Sequence, residues 1–87
     1  MQDARWLQLK QSLLDRGWTW RDETLHAPHD TMSFTTSTAC PNLPGFRNRM
    51  AVAAETTAAF VDCSVEQADL HEDLVSLVAA LDDLLDN

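Results

Sequence analysis

The clearest apolar pattern lies near the C-terminus, where Leu70, Leu74, Leu77, Leu81 and Leu84 recur at spacings of four, three, four and three. That is the period of one helical face, and at about 100° per residue the five share an arc of roughly 80°. Around the stripe stand Glu66, Asp69, Glu72, Asp73, Asp82, Asp83 and Asp86. The pattern predicts a helix capped by Ser64, with Gln67 three residues later completing a capping box. Upstream, Phe46, Met50, Ala53, Thr57 and Phe60 repeat at helical spacing and predict a helix from about Pro44 to Val61. Its alanines leave little bulk, so another helix can approach closely, and a very short link makes the pair a helical hairpin.

The N-terminal half changes period. Trp6, Leu9 and Leu13 predict a helix over about Ala4 to Arg16, with Asp3 as N-cap, Leu7 and Leu14 widening the apolar stripe, and Gly17 as the stop. Trp18 and Trp20 then alternate with Thr19 and Arg21, which is strand periodicity. Asp22-Glu23 predicts a tight turn into a strand over Thr24 to Ala27. Pro28-His29-Asp30 predicts a second turn into Thr31 to Thr36, with Met32 and Phe34 on one face. Thr35 to Pro44 is rich in turn formers and reads as a connecting loop. The predicted class is α+β: an N-terminal helix, a small antiparallel meander of two or three strands, then the helical hairpin, in one domain over 1–87. The tryptophans are expected in its core, beneath the two C-terminal helices, rather than as an exposed stacking platform.

Composition supports a folded chain: of 87 residues, 45% are apolar and 23% charged. A chain of this length buries only about 60 to 65% of the surface its unfolded form exposes, so its core must be tight or shared with another copy. No apolar run approaches the roughly 18 residues of a membrane span, and MQDARWLQLK lacks the features of a secretory signal. A cytoplasmic protein is expected. Cys40 and Cys63 are expected as thiols, although both stand near predicted helix ends where they could meet.

Charge adds the most. Residues 1–49 carry all six basic side chains against five acidic ones, for +1; residues 50–87 carry nine acidic side chains and no Lys or Arg, for −9. Direct binding of nucleic acid by the acidic half is disfavoured, because affinity for phosphates comes from Lys and Arg. A basic protein or nucleoprotein complex is the partner this charge suits.

Motifs for catalysis are scarce. The only glycines are Gly17 and Gly45, so no phosphate-cradling loop exists, and neither GxSxG nor HExxH occurs. His26 and His29, three residues apart on a turn, could share a zinc ion, with Cys40, Cys63 and His71 elsewhere in the chain. The spacing is generic and reads better as a polar turn facing water, so no metal, cofactor or catalytic residue is assigned. Adjacent acids such as Glu72-Asp73 and Asp82-Asp83 point about 100° apart and suit a solvated face better than acid-base chemistry.

The acidic face is what packing does not require. Like charges at helical spacings, and Asp82, Asp83 and Asp86 at the negative end of the dipole, each cost a few tenths of a kcal/mol. Five buried leucines, at roughly 1.5 to 3 kcal/mol each, outweigh that repulsion. In size, charge and anionic helix the chain resembles, at class level, the small acidic accessory proteins of bacteriophages and mobile elements, of the anti-CRISPR and antirestriction type. The resemblance implies a non-catalytic inhibitor or adaptor whose carboxylates Glu66, Asp69, Glu72, Asp73, Asp82, Asp83 and Asp86 engage a nucleic-acid-binding protein surface. Seven charges on about 33 Å of helix give one per roughly 5 Å, sparser than the one per 3.4 Å of a nucleic-acid strand. A homodimeric structural or regulatory protein is the alternative, and a metal-dependent enzyme on His26 and His29 comes third.

Overall fold

The computed structural model describes residues 4–36 and 42–86. The elements run α1 (Ala4–Asp15), β1 (Thr19–Arg21), β2 (Thr24–His26), a single 3-10 turn (Pro28–Asp30), β3 (Ser33–Thr35), α2 (Leu43–Ala58) and α3 (Val65–Leu85). The predicted α+β order holds, with three strands in the meander. The chain divides into two compact units, Met1–Asn42 and Leu43–Asn87.

In the first unit, Trp6, Leu9 and Leu13 are the buried residues of α1. Leu7 and Leu14 stay 44% and 45% exposed and do not widen the stripe, because they project outward from the buried arc. Gly17, at φ 93, ends the helix as expected. Its N–H donates to Leu14 O and that of Trp18 to Leu13 O, the paired bonds of a Schellman cap. The cap also sets Trp18, fully buried, one residue before β1. The N-cap predicted at Asp3 and residues 37–41, half of the loop predicted over Thr35 to Pro44, lie outside the described residues.

The strands pair antiparallel in the order β1-β2-β3. Register places Trp20 opposite Leu25 and Leu25 opposite Phe34, one apolar row across the sheet. The Trp6 ring meets Trp20 edge-on at 5.6 Å, and Trp18 stacks on Phe34 at 6.2 Å. The indole N–H of Trp20 donates to Thr36 O at 3.2 Å. Asp22 and Glu23 both take positive φ, 51° and 60°, the backbone of a two-residue I′ turn whose twist matches the strands. The second predicted turn is the 3-10 turn, with His29 and Asp30 also at positive φ.

In the second unit, α2 buries Leu43, Phe46, Met50, Ala53, Ala54 and Thr57. It stops at Ala58, short of the predicted Val61, because Ala59 and Phe60 donate to Thr56 O and Thr57 O, three residues back, and tighten the last turn. Phe60 thus leaves the helical seam and is 47% exposed. Ser64 caps α3, its hydroxyl accepting from the Gln67 N–H at 3.2 Å. Leu70, Leu74, Leu77 and Leu81 are buried, while Leu84, in the final turn, is only half-buried. No helix among the described residues is long and apolar enough to cross a membrane.

Candidate functional site

Along α3 the seven carboxylates separate into two groups. Glu66, Asp69, Glu72 and Asp73 occupy the first turns, Asp82, Asp83 and Asp86 the last, and Leu74–Leu81 between them carries no acid. On helical geometry the first four lie within an arc of about 120° and span about 10 Å of axis. Their mean axial spacing of about 3.5 Å equals that of phosphates along one strand, a density hidden when all seven are averaged over the helix. Glu66, Asp69 and Glu72 are exposed and Asp73 is half-buried. Glu66, in the first turn, also has the favourable sign for the helix dipole.

The other group is partly committed to the fold. Arg47, near the start of α2, donates from Nε to Asp82 Oδ1 at 2.8 Å and from Nη2 to Oδ2 at 3.3 Å. Each partner alone has the wrong sign for its own helix end, a cation at an N-terminus and an anion at a C-terminus. The antiparallel hairpin brings the two together. The Arg47 hydrogen bond holds the Asp82 carboxyl below its ordinary pKa, with partial desolvation opposing and the guanidinium charge reinforcing. The Arg47 pKa is raised by the same hydrogen bond and charge. Both side chains remain substantially exposed.

A second cross-link, absent from the sequence reading, lies toward the other end of the hairpin. His71 Nδ1 is 2.9 Å from Ala54 O and 3.1 Å from Thr57 Oγ1. A carbonyl only accepts, so Nδ1 carries the proton, and the Thr57 hydroxyl donates to the same carbonyl at 3.1 Å. Thr57 on the apolar seam was the available signal, since a buried hydroxyl needs a partner. His71 is thus a clasp between helices.

His26, at the end of β2, is half-buried, and His29 is exposed on the 3-10 turn. Ser33 stands opposite His26 across the strand pair, and Asp30 Oδ1 lies 3.7 Å from His26 Nδ1. A serine, an imidazole and a carboxylate therefore share one region. The 3.7 Å separation exceeds hydrogen-bond reach, however, and Asp30 accepts from Arg21 Nη2 at 2.7 Å instead. The arrangement is an ion pair on the polar side of the sheet. Among the described residues no group of three or more His, Cys, Asp or Glu is placed to hold a metal ion. Cys63 is a free, exposed thiol, and Cys40 lies outside the described residues. Against known proteins the chain matches no family model, no curated protein and no solved structure.

Proposed function

We propose that this protein is a non-catalytic inhibitor or adaptor that engages a basic, nucleic-acid-binding protein surface through α3, in the manner of phage anti-defence proteins. The observation that carries the reading is the group Glu66, Asp69, Glu72 and Asp73, four carboxylates within about 120° of one helix. The leucine seam of α3 does not require them, and residues 50–87 contain no Lys or Arg. Asp83 and Asp86 extend the surface at the far end of α3, where Asp82 is paired with Arg47. A cationic groove that binds a nucleic-acid backbone would accept such a surface by charge complementarity.

The test is binding to purified nucleic-acid-binding complexes over a salt series, with Glu72→Lys and Asp83→Lys as variants that leave the Arg47 pair intact. Affinity should fall with salt and with each reversal; affinity indifferent to both contradicts the reading. The alternative, a homodimer, draws on Leu7 and Leu14, exposed seven residues apart on α1. Leu70, Leu74, Leu77 and Leu81 of α3 are already buried within the chain. Light scattering that shows a dimer, lost in Leu7→Ser/Leu14→Ser, would favour it.

A further inference from the structure

The turn after α2 and the first residue of α3 carry apolar side chains that the fold leaves in water. Phe60 is 47% exposed and Val65 74% exposed, and the free Cys63 lies between them in sequence. At the full reach of the chain, Phe60 and Val65 are at most about 18 Å apart. Asp62, Glu66 and Asp69 are exposed beside them in sequence, and no Lys or Arg occurs after Arg49. The aromatic residue is held in place: the Phe60 N–H donates to Thr57 O at 2.9 Å, and Phe60 O accepts from the Cys63 N–H at 3.0 Å.

We infer that the hairpin tip is the anchor of the partner-binding surface, Phe60 and Val65 entering an apolar pocket rimmed by Lys or Arg on a basic protein. The inference rests on the acidic-face reading above and adds to it a site and a pocket chemistry. Interfaces draw most of their affinity from a few apolar or aromatic anchors, while surrounding polar contacts exclude water and set orientation. A backbone already fixed at Phe60 lowers the ordering cost of inserting it. Charge selects the occupant. A second copy would bring the same carboxylates face to face, and an anionic lipid surface would repel them.

The test uses two synthetic peptides of equal positive charge, an amphipathic Leu/Lys helix and its counterpart with every Leu replaced by Ser, each fluorescently labelled and titrated with the full chain. The wild type should bind the Leu/Lys peptide about tenfold more tightly, and Phe60→Ser/Val65→Ser should bind both at the weaker affinity. With Cys40→Ser as background, the Leu/Lys peptide should also slow alkylation of Cys63. Equal affinity of the wild type for both peptides overturns the anchor and leaves the acidic face standing, as does a preference that survives the double substitution. Binding of neither peptide at low salt removes both readings. Concentration-dependent dimerisation abolished by Phe60→Ser/Val65→Ser would make a second copy the occupant and overturn the inference.

Discussion

At the scale of single residues, the strained positions are Asp22 and Glu23 of the first turn and His29 and Asp30 of the second. Asp22 and Glu23 both sit at positive φ, where a side chain costs roughly 1 to 2 kcal/mol and glycine little. Glu23→Gly should therefore stabilise the protein by about 0.5 to 1 kcal/mol, after allowing for the added freedom of the unfolded chain. Thermal or urea unfolding measures it. The Arg47–Asp82 pair makes a second prediction. Because the Asp82 pKa is lowered on folding, its contribution is fully present above the unfolded carboxylate value, about 3.9, and is lost as pH falls through the lower folded value. In a cycle of Arg47→Ala and Asp82→Asn, unfolding measurements should give a favourable coupling at pH 7 that disappears in strong acid. A coupling that does not change with pH would assign the contact to packing. Neither the turn strain nor this pair was fully legible in the sequence. Asp-Glu is not the usual I′ pair, and a contact 35 residues apart depends on how the helices are set.

At the scale of elements, the apolar periodicities located all three helices, the alternation of Trp18 and Trp20 located β1, and Gly17 placed the first stop. The structure departs from the apolar pattern at helix ends and flanks. Phe60 fits the α2 seam by spacing but follows a tightened last turn, and Leu84 fits the α3 seam by spacing but lies in its final turn, only half-buried. Leu7 and Leu14 flank the apolar stripe of α1 by spacing but lie outside the arc the helix buries. Spacing gives direction on a helix; it does not say how far the neighbouring element reaches. Leu77→Ala should cost about 3 kcal/mol, by lost burial and the cavity left behind, and Leu84→Ala only about 1. Chemical denaturation of the two variants tests this directly, and equal losses would mean that Leu84 packs as the other leucines do.

For the whole molecule, charge was legible from sequence alone: the +1 of residues 1–49 and the −9 of residues 50–87 follow from composition. The distribution of that charge around α3 was less so. Four of the seven carboxylates crowd the first turns of α3, and of the three at its end Asp82 is joined to Arg47. The His71 clasp was also missed, because a histidine and a threonine 14 residues apart carry no motif. The central claim is that the four carboxylates are a binding surface and not a general aid to solubility. Its most direct measurement is the affinity of Glu66→Gln/Asp69→Asn/Glu72→Gln/Asp73→Asn, beside the wild type, for a purified nucleic-acid-binding complex that the wild type binds, over a range of salt. The account predicts a loss of at least about tenfold at low salt and a shallower dependence on salt, with the fold unchanged by circular dichroism. Unchanged affinity and unchanged salt dependence in the neutralised variant would contradict it.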